Sequence, residues 1–184
     1  QSRRARSSGN DPLADWLAFE RAIPVLEVAA RLPHRPGKYA FFIRDLSQLP
    51  AAFQSEAKTR PDRHLLYIGK ADVSLFVRVW EQECLHRHPG TFFRSVGAML
   101  GYRSPIGGRN YEFSASDKGA VVDWLCGNLS VAWTSQQIAG SHLKSEKVLI
   151  ERHTPLLNIA GNPRKFGELQ RLRGLCRQGM LAKE

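Results

Sequence analysis

The chain has 184 residues, 42% of them hydrophobic, and its 27 lysines and arginines outnumber 17 aspartates and glutamates for a formal charge of +10. That apolar share excludes a disordered chain, the length suffices for one domain with a sizeable core or two very small ones, and no apolar run approaches the roughly 20 residues a membrane-spanning helix needs. The positive excess favours a polyanionic partner, and nucleic acid over an acidic membrane, because no basic helix carries a bulky apolar face.

Residues 1–10, QSRRARSSGN, read as a flexible basic arm without the apolar core of a secretory signal. Over residues 11–32, Leu13, Trp16, Leu17, Val25, Val28 and Ala29 recur at helical spacing, interrupted by Pro24. His34-Arg35-Pro36-Gly37 is a turn, and residues 39–43 are a strand rich in aromatic and β-branched side chains. Residues 45–63 form a long connection holding Pro50 and Pro61, with room for one helical turn. Residues 65–68 are a second strand, stopped by Gly69.

Val73, Phe76, Val77, Trp80 and Cys84 place a helix over 73–85, followed by the loop HRHPG and a short helix over 92–100. A loop covers 102–110. Ser114, with Asp117 three positions on, then caps a helix that runs to about Asn128. Residues 131–134 alternate as a third strand, and 143–153 form a helix ended by Pro155. Asn162-Pro163 opens a final helix with Leu169, Leu172 and Cys176 on one side. Few strands among many helices predict an α+β fold, a small, mostly antiparallel sheet flanked by helices. Cys84, Cys126 and Cys176 form no CxxC pair, which argues against a zinc ribbon and for free thiols in a reducing, cytoplasmic compartment.

Five residues invite a chemical reading. Tyr39 and Tyr67 meet at one edge of the sheet if their strands pair, although each ring can equally serve as a core anchor. Glu146 shares an apolar stripe with Leu143, Leu149 and Ile150, so its carboxylate needs a cation, a metal ion or a cleft. Arg78 sits among Phe76, Val77, Val79 and Trp80, either packing its stem with its head in water or holding a guanidinium for a phosphate. Asn158, after Pro155-Leu156-Leu157, is either a plain turn residue or a rigidly held amide.

Together these residues resemble a family. GKY at 37–39 is similar to a GIY element with Lys38 at its centre, and YIG stands unchanged at 67–69. Arg78 follows at helix spacing, then Glu146-Lys-Val-Leu-Ile and Pro155-Leu-Leu-Asn158. The resemblance is to the GIY-YIG nuclease superfamily, over about residues 36–160. It implies a central three-stranded antiparallel sheet with strands near 38–44, 64–68 and 131–135. It also implies a divalent-metal-dependent endonuclease acting on DNA phosphodiesters. In that scheme Glu146 binds one Mg²⁺ or Mn²⁺, Arg78 binds phosphate oxygens, and Tyr39 and Tyr67 position and help deprotonate a water. Lys70 is the cation that would lower a tyrosine pKa, and Asn158 braces the site.

The chain departs from the family pattern in places. Gln82 stands four positions after Arg78, where many members have a histidine, and His86 or His88 could replace it from the loop. The nuclease-like domain spans 11–160 with an inserted helical segment near 86–128, and 161–184 is a basic helical extension. Lys58 in the long connection, Arg94 and Arg109 in the insertion, and Arg164 and Lys165 in the tail are candidate nucleic-acid contacts. The implied partner is DNA, with no membrane, and a homodimer if both strands are cut together. A nucleic-acid-binding module that keeps the fold without turnover is the second reading.

Overall fold

The structure is a computed structural model that describes residues 15–135 and 142–180, with side chains in the second segment from Glu146 onward. The basic arm at 1–10 lies outside the described residues. A four-stranded antiparallel sheet forms the centre, built from β1 (Ile23–Pro24), β2 (Gly37–Ile43), β3 (Leu65–Ala71) and β4 (Leu129–Thr134) in the order β1-β4-β2-β3. Every residue of β2 is buried, because helices cover both faces of the sheet. Tyr39, Phe41 and Ile43 point into the larger core, with Phe92, Val121 and Leu125. Ala40 and Phe42 point the other way, towards Leu149 and Ile150.

The fourth strand corrects the helix expected over 11–32. The described part of that stretch holds a 3-10 turn at Phe19–Arg21, the two residues of β1, and the short helix α1 (Val25–Val28). Pro24 disfavours helical geometry at Ile23, and a proline without an N–H is tolerated on an edge strand. Val25 and Val28 still reach the core, each fully buried.

Strand β3 also runs further than its sequence suggests. It passes through Gly69 to Ala71, with Gly69 opposite Tyr39. The register slips between Phe41, paired with Tyr67, and Phe42, paired with Leu65, so Leu66 is the extra residue of a β-bulge. The bulge lets Leu66 and Tyr67 face the same core. The outer edge of β3 is covered by the segment after Pro155: Leu156 N–H donates to Leu65 O at 3.3 Å and Leu157 N–H to Leu66 O at 2.7 Å.

The connection from β2 to β3 holds a 3-10 turn at Leu46–Gln48, capped by Asp45, and the helix α2 (Ala51–Ala57). The helix expected over 73–85 is a π-helix over Phe76–Cys84, in which Leu85 N–H reaches back five residues to Trp80 O. Then come α3 (Thr91–Met99), α4 (Ala115–Asn128), α5 (His142–His153) and α6 (Gly167–Gln178). Ser114 Oγ accepts from Asp117 N–H at 3.1 Å, the N-cap that the sequence pattern predicts.

Residues 92–99 of α3 are all buried, and α3 packs on α4 and α6. Phe92 at its start stacks on Phe41, ring centroids 4.0 Å apart. The insertion and the tail therefore enlarge one core. The three cysteines are free thiols, and among the described residues no helix is long and apolar enough to cross a membrane.

Candidate active site

The site is assembled at the β3 edge. Gly69 is the one position opposite Tyr39 where a ring can lie flat against the strand: a Cβ there would come within 2.5 Å of Tyr39 Cζ and Oη. Its part is to admit that ring in mid-strand, which replaces the expected tight turn. Tyr39 is wholly buried; its Oη accepts from Arg78 Nε at 3.1 Å and lies 3.4 Å from Glu83 Oε1, to which it donates.

Glu83 is the residue that sequence reasoning missed. It is 0% exposed, and its Oε1 pairs with Arg78 Nη2 at 3.0 Å. Its Oε2 accepts from the backbone N–H groups of Phe92 and Phe93, at 3.1 and 3.3 Å, where the N-terminus of α3 favours negative charge. Gly90 makes this possible, because a Cβ at that position would collide with Oε2. Burial pushes the Glu83 carboxyl up, and Arg78, the two amides and the Tyr39 hydroxyl pull it back. With those donors converging on it, the carboxylate is ionised and holds the guanidinium in place.

Arg78 is the hub. Besides Tyr39 and Glu83 it reaches Gln82 Oε1 through Nη1 at 2.8 Å, and its side chain keeps 30% exposure. Burial works against its cation, but Tyr39 and Glu83 outweigh that and raise its pKa. The exposed part opens into a cleft of about 390 Å³ that is also lined by Tyr67, Gly69, Lys70, Gln82 and Glu146. Tyr67 lies face to face with Tyr39, centroids 6.3 Å apart, and is 8% exposed. Burial, with Glu83 adding to it, raises both phenols, and Arg78 is the cation that offsets the rise.

Glu146, near the start of α5, is half-buried. Among the described residues no cation lies within ion-pair distance of it, so of the partners its apolar stripe called for, it has the cleft and not a salt bridge. Burial raises its carboxyl, with Lys70, Arg78 and Lys38 lowering it and Asp72 raising it further. Lys38, the central residue of GKY, is 7% exposed on the α5 side of the sheet, and burial lowers its ammonium.

A model of the GIY-YIG catalytic domain matches residues 37–175. The chain belongs to the GIY-YIG family. Comparisons with curated proteins and with solved structures gave no match.

Within this GIY-YIG domain several expected parts take different places. Lys70 lines the cleft but pairs with Asp72 at 2.8 Å, and the cation beside the tyrosines is Arg78. Gln82, in the usual histidine position, clamps Arg78 and donates from Nε2 to Pro89 O at 2.7 Å. His86 does not replace that histidine: it stacks on Phe93, centroids 4.3 Å apart, and burial pushes its pKa down to about 4. His88 is exposed and lines neither cleft of the site. Asn158 is 5% exposed and grips the backbone of Ile68 from both sides, Oδ1 accepting from its N–H and Nδ2 donating to its C=O, each at 2.9 Å. It thus fixes the strand residue between Tyr67 and Gly69.

The candidate nucleic-acid contacts scatter. Arg109 is exposed and lines a second cleft beside the first. Lys58 and Lys165 are exposed away from both clefts. Arg164 ties the tail to the end of α2, donating to Thr59 O at 3.0 Å and Thr59 Oγ1 at 2.9 Å. Arg94 is a correction: it is 7% exposed, donates to Asn110 Oδ1 at 3.2 Å and lies over the Tyr111 ring, so it does not stand at an outer surface.

No group of three or more potential metal-ligating side chains occurs among the described residues. The donors present still fit the family's divalent cation. A single carboxylate with no ion-pair partner among the described residues, opening on a cleft beside the Arg78 guanidinium, suits Mg²⁺, which keeps most of its waters and shares substrate oxygens.

Proposed function

We propose that the protein is a divalent-metal-dependent endonuclease that hydrolyses DNA phosphodiesters. The observation that carries this reading is the shared cleft. Arg78, locked by Tyr39, Gln82 and Glu83, opens onto the same space as Tyr67 and Glu146, which has no ion-pair partner among the described residues.

Arg78 binds the non-bridging oxygens of the scissile phosphate and gains contact as charge builds on them during attack. Its three fixed contacts mean little reorganisation is needed at that moment. Glu146 would hold Mg²⁺ or Mn²⁺, which when bound neutralises phosphate charge and favours departure of the leaving oxygen. Tyr67, the phenol that borders the cleft, orients the attacking water. Its raised pKa keeps it neutral at pH 7, so it hydrogen-bonds the water and takes up no proton before attack. Tyr39, sealed beneath, positions Arg78.

The test is to incubate the protein with plasmid and with single-stranded DNA in Mg²⁺, Mn²⁺ or EDTA, beside Glu146→Ala and Arg78→Ala. Metal-dependent cutting that both substitutions abolish supports the enzyme. Binding without cutting in any metal establishes the binding module instead.

A further inference from the structure

The second cleft, of about 780 Å³, shares Tyr67 and Glu146 with the first and continues from it past Arg109, Arg173 and Arg177. Among the described residues none of these three arginines has a carboxylate within ion-pair distance. Arg173 is 6% exposed; its Nη1 donates to Ser95 Oγ at 3.2 Å and its Nε has no hydrogen-bond partner among the described residues. Behind it stands Arg94, also buried, whose Nε likewise has no hydrogen-bond partner among the described residues. Burial, then Arg173 and Arg177, act against the Arg94 cation while Tyr111 and Glu83 favour it, so Arg94 lies close enough to Arg173 and Arg177 to be repelled by them.

The fold holds this arrangement deliberately. Gly107 and Gly108 take positive φ values of 86° and 92°, and Gly108 N–H donates to Arg177 O at 2.8 Å, pinning the loop that carries Arg109 to the end of α6. Met180 N–H closes the same junction on Ser104 O at 3.0 Å. Buried cations gathered with no carboxylate at ion-pair distance are unfavourable unless an anion completes them. Guanidinium forks match the oxygens of a phosphate.

We propose that this arginine cluster binds a backbone phosphodiester of the strand whose scissile phosphate lies in the first cleft, with Arg109 and Arg177 at the mouth and Arg173 at the floor. The inference rests on the nuclease reading for the scissile phosphate, but its binding step needs neither metal nor turnover. The insertion and the C-terminal helix would then be a substrate-holding arm that the sheet alone cannot supply.

The test is fluorescence anisotropy of the full chain with a labelled oligonucleotide in EDTA, repeated over a range of salt. The proteins are wild type, Arg109→Ala/Arg177→Ala, Arg109→Lys/Arg177→Lys, and Arg171→Ala. Arg171 lies on the same helix but pairs with Glu168 at 2.7 Å, outside the cleft. The double alanine variant should bind at least about ten-fold more weakly, with a salt slope shallower by about 1 to 2. The lysine pair should keep most of the slope, which separates lost charge from a damaged fold, and Arg171→Ala should match wild type.

Equal affinity and slope in wild type and the double alanine variant overturn the proposal, as does an equal loss in Arg171→Ala. Removing a 5′-phosphate should change nothing; affinity that requires it overturns the backbone assignment in favour of a terminal phosphate. If the protein never cuts but the cleft variants bind weakly, the nuclease reading falls and the cluster stands. If it cuts but those variants bind normally, the reverse holds.

Discussion

At Gly69 a missing Cβ decides where a phenol goes. Tyr39 lies where that Cβ would be, and its hydroxyl is then within reach of Arg78 Nε. Gly69→Ala should therefore destabilise the fold by about 1–3 kcal/mol, as overpacking does, and slow cleavage further by displacing Arg78. Urea midpoints and single-turnover rates measured together would show both effects. Glu83→Gln removes the charge that holds the guanidinium but keeps the shape. It should cost about 1–3 kcal/mol of stability and slow cutting at least about ten-fold while DNA binding in EDTA stays near wild type. His86 supplies a pH dependence. Its pKa is depressed from about 6.5 to about 4, so the folded state binds fewer protons than the unfolded one. The stability it contributes is complete above pH 6.5 and is lost as pH falls towards 4, up to about 3 kcal/mol. His86→Asn, which tolerates the positive φ of 51° at this position, should flatten that slope in urea melts between pH 7 and 4.

Among the elements, β3 and the π-helix do most of the positioning. β3 is an edge strand, and Asn158 closes it by taking both backbone groups of Ile68. Asn158→Ala should cost about 1–3 kcal/mol and speed hydrogen exchange at the Ile68 amide more than at Ala40 in the central strand. The π-helix explains why Glu83 was not legible in the sequence. It is five residues after Arg78, and in an α-helix that separation puts two side chains about 140° apart. A turn that closes over five residues returns them to one side, and apolar spacing at 73–85 gave no sign of it. Strand β1 was hidden for a related reason: Val25 and Val28 keep a helical rhythm, while Pro24 forces the preceding residue into a strand. By contrast β2, β4 and α4 were readable, because alternation, aromatic content and the Ser114 cap act locally. Tyr39, Tyr67, Arg78, Glu146 and Asn158 could be singled out by residue type and spacing. That Tyr39 is sealed while Tyr67 borders the cleft depends on the bulge and on Gly69, which pattern alone does not encode.

Over the whole molecule, the net charge of +10 is unevenly used. Arg60 and Arg164 brace the end of α2 and the tail, Arg171 pairs within its helix, and Arg78 serves the central cleft. Arg109, Arg173 and Arg177, with no carboxylate within ion-pair distance among the described residues, line the cleft that continues from it. The account centres on that first cleft as a site of metal-dependent DNA cutting. Its most direct test is single-turnover cleavage of end-labelled DNA in Mg²⁺ by wild type, Arg78→Ala and Glu146→Gln, with binding measured in parallel in EDTA. The account predicts rates at least about 100-fold lower in each variant at near wild-type affinity. Cutting at the wild-type rate by either variant, or wild-type protein that binds DNA and cleaves it in neither Mg²⁺ nor Mn²⁺, would contradict it.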